Sequence, residues 1–307
     1  MVAASRALPR RAVLEMVGGA ALISLTSVFV RLSHVGPSVS AFYRMAIGGA
    51  LLLLGLLAAR RWANLRAEQL AWLAVPAAAF AADLLMWHRS ILHVGPGLAT
   101  LLGNFQVFVM ALAGWLLYRE RLGLHFMAGV ALALIGLYLL VGVDWAAMTA
   151  DYRIGVVLGI GSGLAYAVYL LFTRHAQRSG QLRLPTMQLL CVSTLLSAGV
   201  LAAAVVVEGE RFTIPDAQTA WALVGLAVVG QILGWVLLLR AIPQLPASLV
   251  GLLLLLQPAL SFVFDVLLFA RPTGTRDWLG VGLSLLGIFI GSYRPAPVAE
   301  PVADDAA

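Results

Sequence analysis

Apolar segments about 20 residues long recur along the whole chain, joined by connections as short as SHVGPS at 33–38. A bilayer core about 30 Å thick is crossed by about 20 residues rising about 1.5 Å each. On that criterion the chain divides into ten spans, near 12–32, 38–59, 69–88, 96–118, 122–142, 153–175, 185–207, 217–240, 247–269 and 277–293. Within hydrocarbon, backbone N–H and C=O groups have no water to bond, and a helix satisfies them within its own segment. The predicted fold class is therefore an all-α membrane protein with ten transmembrane helices. Composition agrees, because only 11% of the 307 residues are charged and 62% are hydrophobic. A soluble domain carries roughly 25% charged residues.

The net charge of +6 comes entirely from arginines, since the chain has no lysine. They cluster near span ends, at Arg10-Arg11, Arg60-Arg61-Arg66, Arg119-Arg121 and Arg174-Arg178-Arg183, on the side that also holds the N-terminus. The opposite side holds the sparser Arg31, Arg89, Arg153, Arg211, Arg271 and Arg276. The positive-inside rule then places both termini in the cytoplasm and leaves no nucleic-acid footprint. The first span follows Arg10-Arg11 as a signal peptide would, but it is too long and further spans follow, so it is read as a retained helix. The last stretch, RPAPVAEPVADDAA at 294–307, is Pro/Ala-rich and acidic and is expected to be a disordered cytoplasmic tail. The single cysteine, Cys191, excludes an intramolecular disulfide framework.

A shift of 151 positions lays LLGNFQVFVMALAGWLLYRERLGLHFMAG over LLLLLQPALSFVFDVLLFARPTGTRDWLG. Gln106 then falls on Gln257, Arg89 on Arg240, Gly129 on Gly280 and Gly136 on Gly287, whereas Asn104 falls on Leu255. The chain thus reads as two repeats, 12–142 and 153–293, each of five spans. An odd number of spans inserts the second repeat upside down, which is the inverted-topology pattern of secondary transporters.

The segment LLGNFQVFVMALAGWLLYRERLGLHFMAGVALALIGLYLLVG resembles the closing portion of the EamA domain of the drug/metabolite transporter superfamily. Its helix, its basic-acidic turn at Arg119-Glu120-Arg121 and its glycine-spaced helix carry the resemblance. LLLQPALSFVFDVLLFARPTGTRDWLGVGLSLLGIFIG resembles it a second time, with proline at Pro258, and SVSAFYRMAIGGALLLL resembles the second helix of that domain. The resemblance implies a ten-helix carrier of the bacterial inner membrane that exports amino acids, related metabolites or drugs. It also implies drive from a proton or substrate gradient, and alternating access around a cavity lined by spans 1, 3, 4, 6, 8 and 9. The turn acid Glu120 becomes Arg271 in the second copy, so Glu120 is read as a helix-end and loop residue.

Gln106 and Gln257 both lie near the centre of their spans. A primary amide in hydrocarbon costs several kcal/mol without partners, so each lines a cavity or bonds a neighbouring helix. Asn104 sits about 200° around the helix from Gln106 and does not share its face. Asp83 is an acid inside the third span, open to three readings: proton coupling, binding of a substrate amine, or an ion pair with Arg44 or Arg89. His88 is a candidate titrating group beside it and Trp87 a candidate aromatic wall. Tyr43 and Arg44, one turn inside the outer boundary, are candidates for substrate recognition or gating. Asp265 is a secondary candidate. Ser162, Tyr166, Tyr169 and Thr173 recur at helical spacing and form one polar stripe, and Gln231 with Trp235 forms another.

No enzyme constellation emerges. GIGSGLAY at 159–166 lacks the G-x-S-x-G spacing, so an intramembrane hydrolase built on Ser162 with His88 or His175 is a remote alternative. Neither HExxH nor a P-loop is present, and no metal or cofactor is expected. The expected partners are a small-molecule substrate, a proton and the lipid bilayer. A channel or a non-transporting scaffold is the other alternative.

Overall fold

The computed structural model describes residues 9–120, 122–141, 149–180, 184–270 and 273–292. Arg6, Arg121, Arg183, Arg271 and the tail at 294–307 lie outside the described residues, as do the side chains of Pro96, Thr100 and Asp265. Among the described residues every regular element is helical. In chain order they are α1 (Arg10–Ser24), α2 (Thr26–Leu32), α3 (Pro37–Ala58), α4 (Ala67–Gly103), α5 (Gln106–Tyr118), α6 (Leu124–Val141), α7 (Ala150–Arg178), α8 (Thr186–Val207) and α9 (Ala217–Gly225). A π-helical segment (Leu226–Gly234), α10 (Trp235–Ala241), a 3-10 turn (Ile242–Gln244), α11 (Ala247–Leu254), α12 (Leu256–Phe269) and α13 (Thr275–Ser292) complete the chain. Seven helices are long and apolar enough to cross a membrane, and Gln106–Tyr118 and Leu124–Gly136 add shorter apolar helices. The protein is therefore a multi-pass membrane protein.

The helix boundaries depart from the expected spans in two ways. The connection expected at 89–95 is helical, and α4 runs straight through it. The run RSILHV contains no Gly or Pro to stop a helix, and α7 takes up its polar groups. Ser90 Oγ donates to the Gly155 carbonyl at 2.8 Å, and His93 Nδ1 lies 2.8 Å from Asp151. Conversely, three expected spans are interrupted, at Leu25, at Asn104–Phe105 and at Leu255. At each break an amide bonds only three residues back, Leu25 to Leu22 at 3.3 Å, Phe105 to Leu102 at 2.9 Å and Leu255 to Leu252 at 3.1 Å. Hydroxyls satisfy carbonyls at the first break, where Ser24 Oγ donates to Ala21 and Thr26 Oγ1 to Ile23, each at 2.6 Å. Asn104, a buried amide in a predicted lipid-length helix, marks the end of a helix half rather than its middle.

Helix packing is close where side chains are smallest. The antiparallel pair α6 and α13 meets across glycines, so a Cβ added to Gly129 would lie 2.5 Å from the Gly287 carbonyl. One added to Gly136 would lie 2.5 Å from the Gly280 carbonyl. Such small-residue faces let backbones approach where lipid supplies no hydrophobic driving force. The other main pairings are α4 with α7, α3 with α8, α5 with α11, and α1 with α10 and the π segment.

Polar clamps join the two parts of the chain at both ends of the bundle. At one end the His34 ring lies 2.7 Å from Asp216, the His34 amide donates to Thr219 Oγ1 at 3.0 Å, and Arg89 pairs with Glu208. At the other end buried Gln188 brackets Ala63, accepting from its amide at 2.9 Å and donating to its carbonyl at 2.7 Å. Glu120 lies at that end too. Expected as a simple turn residue, it instead reaches the first turn of α11.

Two outcomes follow for the purified protein. Gly287→Ala is expected to destabilise it by about 1–3 kcal/mol through overpacking. Gly282→Ala, at a site with no atom within 4 Å of the added Cβ, leaves the melting temperature unchanged. Asp216 caps α9, and the His34 ring, followed by the Thr219 amide, holds its carboxyl below the usual carboxylate range. A depressed acid stabilises the folded state above its unfolded pKa, and that contribution disappears as pH falls through the folded pKa. Asp216→Asn should thus lower the melting temperature at pH 7 and make no difference in strong acid. A deficit that persists in strong acid would contradict this.

Candidate functional site

The densest polar cluster inside the bundle gathers side chains from α3, α4, α7, α8, the π segment, α10 and α12. Arg44, from α3, donates through Nε to Gln231 Oε1 at 3.2 Å. Gln231 is held in turn, its Nε2 donating to Thr194 Oγ1 at 2.9 Å. Both amide ends are thereby fixed, and Gln231 presents an acceptor to the guanidinium. The π winding carries Gln231 to this place, and Gly48 on α3 makes room for it, since a Cβ there would stand 3.0 Å from Gln231 Cγ.

Asp83, from α4, accepts a hydrogen bond from Ser162 Oγ at 2.6 Å. Of the ion pairs open to it from sequence, neither forms as a direct contact. Arg89 pairs with Glu208, and Arg44 bonds Gln231 while attracting Asp83 electrostatically. The charges therefore face one another through the cluster, each with a neutral partner.

Aromatic rings wall the cluster. Phe80 stacks on Tyr169 at 4.6 Å between centroids, and Trp235 stands edge-on to Phe80 at 5.1 Å and to Tyr169 at 4.9 Å. Tyr166 lies 6.2 Å from Trp235 and hydrogen-bonds Gln257. The Arg44 guanidinium sits 6.0 Å from the Phe80 ring. Gln106 and Gln257 open the helix halves α5 and α12, each directly after a break. Gln106 Oε1, Gln257 Nε2 and Trp235 Nε1 are buried without a hydrogen-bond partner among the described residues. Unspent donors and acceptors inside an apolar bundle are costly and fit a site that a polar ligand or water completes.

Most of the residues singled out from sequence therefore converge: Arg44, Asp83, Tyr166, Tyr169, Gln231, Trp235 and Gln257, with Gln106 at the adjoining break. Trp87 and His88 form a tilted pair 5.0 Å apart, and Trp87 borders Gly103 at the end of α4. Tyr43 lies apart at the mouth of the bundle, its hydroxyl donating to the Phe212 carbonyl at 2.6 Å. Ser162 is committed to Asp83, and His175 packs on Trp72, about 20 Å along α7 from Ser162. Sequence reasoning missed Phe80 and Thr194. The spacing Phe80, Asp83, Trp87 on one face of α4 was the available signal for the first.

The model of the EamA-like transporter family matches residues 10–142 and again 153–293. An uncharacterized transporter of Haemophilus influenzae is 30% identical over 159 residues, covering 50% of this chain and 51% of its own length. The chain thus spans about half of that relative. The uncharacterized transporter YwfM of Bacillus subtilis is 22% identical over 263 residues, 84% of this chain and 85% of its own. One solved crystal structure, described only as that of a protein, shares the fold with a TM-score of 0.78 at 20% identity, over 91% of this chain and 97% of that one. With the family model matching twice and covering most of the sequence, the chain belongs to the EamA-like transporter family.

Proposed function

We propose that the protein is a secondary carrier of ten spans, built from inverted five-helix halves at 12–142 and 153–293, that exports a small zwitterionic metabolite by alternating access. Its site is the cluster around Arg44 and Asp83. The observation that carries this reading is that both halves supply the cluster. Arg44, Phe80 and Asp83 come from the first, and Ser162, Tyr166, Tyr169, Gln231, Trp235 and Gln257 from the second. Rocking one half against the other changes the site itself.

Several reciprocities support the inverted repeat. Gly129 faces Gly287 while Gly136 faces Gly280, so exchanging each residue for its counterpart 151 positions away reproduces the same contacts. Helices α5 and α12 end at Tyr118 and Phe269, each followed by a left-handed residue, Arg119 (φ 52°) and Ala270 (φ 48°). Helix breaks at Asn104 and Leu255 match in the same way.

Arg44 offers a carboxylate partner, Asp83 accepts from an amine, and the aromatic walls take an apolar side chain. An amino acid or related compound has this chemistry. Both termini lie in the cytoplasm of a bacterial cell and the site opens in turn to each side of its inner membrane.

Reconstituted protein loaded with a panel of radiolabelled amino acids should show saturable flux and counterflow for at least one of them. Linear, non-saturating flux would indicate a channel instead. Gln106→Ala and Gln257→Ala should each reduce that flux about tenfold, the loss expected for one or two ligand hydrogen bonds. Wild-type rates in both variants would remove these amides from the site. Asp83→Asn should abolish flux driven by a pH gradient but retain counterflow. Retained pH-driven flux would exclude Asp83 as the coupling acid.

A further inference from the structure

Glu120 follows the left-handed turn that ends α5, with its amide bonded to the Gly114 carbonyl at 2.8 Å. Its carboxylate lies back over Gly114, where an added Cβ would come within 2.5 Å of Oε2. From there it accepts from the Ala247 amide at 2.7 Å, the Ser248 amide at 3.2 Å, Ser248 Oγ at 2.8 Å and Arg174 Nη2 at 3.3 Å. Every one of these donors belongs to the other half of the chain. Arg174 is 1% exposed, also donates to the Leu245 carbonyl, and lies 4.1 Å over the Tyr118 ring. A single acid thus caps α11 and ties the start of the ninth span to the end of the fourth.

The opposite face carries part of the same arrangement. Arg31 lies 4.3 Å over the Phe269 ring, and Phe269 is the counterpart of Tyr118 at the 151-residue shift. The carboxylate, its space and its targets are all changed there. Glu120 corresponds to Arg271, Gly114 to Asp265, Ala247 to Pro96 and Ser248 to Gly97. An arginine offers no acceptor, proline no amide hydrogen, and glycine no hydroxyl. Burial differs in the same sense, since Arg174 is sealed whereas Arg31 is exposed.

We propose that Glu120 is the latch of the inner gate, that the outer gate lacks an equivalent, and that the carrier therefore rests closed to the cytoplasm and open to the outside. The inference rests on the inverted-repeat carrier reading above. Opening inward requires the Glu120 carboxylate to leave α11, and that step sets the height of the inward barrier. Outward opening breaks no such cap.

The test uses the full chain in a Cys191→Ala background with Gln257→Cys as a central reporter, and Trp87→Cys as a second reporter. The rate of modification by a charged, membrane-impermeant methanethiosulfonate is measured in right-side-out and inside-out vesicles. Reporters in the protein with Glu120 intact should react about tenfold or more faster from outside than from inside. Glu120→Ala should raise the inside rate about tenfold or more and lower the outside rate. Ser248→Ala, which deletes one contact and leaves the turn intact, should raise the inside rate about threefold, so the idea stays testable if Glu120→Ala fails to fold. Reporters that react from outside while their inside rate is unmoved by either substitution would overturn the latch and leave the central site standing. Reporters that react from neither face in any variant would overturn both.

Discussion

A guanidinium and a carboxylate sit inside a helical bundle that lipid surrounds, and much of the interior is organised by their need for partners. Each ion costs about 2.5–3.5 kcal/mol at the centre of an isolated membrane helix. Direct pairing would neutralise both and leave nothing for a ligand. Here each is given a neutral partner instead, Gln231 for Arg44 and Ser162 for Asp83, and those partners require further structure. Gln231 needs Thr194 to orient its amide, a π-helical segment to carry it inward and Gly48 to admit it. Phe80, Tyr169 and Trp235 close around the cluster and keep it apart from the apolar exterior.

The breaks in the helices serve the same end. Each interruption leaves backbone groups with only three-residue hydrogen bonds, a defect that hydrocarbon does not tolerate. All of them lie within the bundle, and the breaks at Asn104 and Leu255 place Gln106 and Gln257 in the first turn of a new half-helix. Glycine faces supply the rigid frame around these weak points. The interlocked glycines of α6 and α13 form one such support, and Gly163 on α7 is another, since a Cβ there would stand 2.7 Å from the Gly103 carbonyl at the α4 break. Rigid contacts outside and broken helices inside are the mechanical combination that the proposed alternating access uses.

Much of this was legible in the sequence because membrane proteins obey few rules strictly. Length and hydropathy placed most spans, and helical spacing put Tyr166 and Tyr169 on one face and Gln231 with Trp235 on another. What the sequence did not disclose depends on contacts between distant residues. The continuous helix at 89–95 depends on Ser90 and His93 bonding α7, and nothing local announces that. Thr194 looked like one hydroxyl among several in α8 until Gln231 was found against it. Glu120 was misread for the same reason, since a turn acid in sequence becomes a helix cap only when the far half of the chain folds against it.

The central claim is that two halves of the chain close alternately over a site they share. Spin-label distances in lipid nanodiscs test it, with one label pair across α3 and α9 at the outer mouth and one across α5 and α7 at the inner mouth. Saturating amounts of a transported amino acid should shift the two distance distributions in opposite directions, the outer shortening as the inner lengthens. Distances that stay fixed, or that widen together, would contradict it.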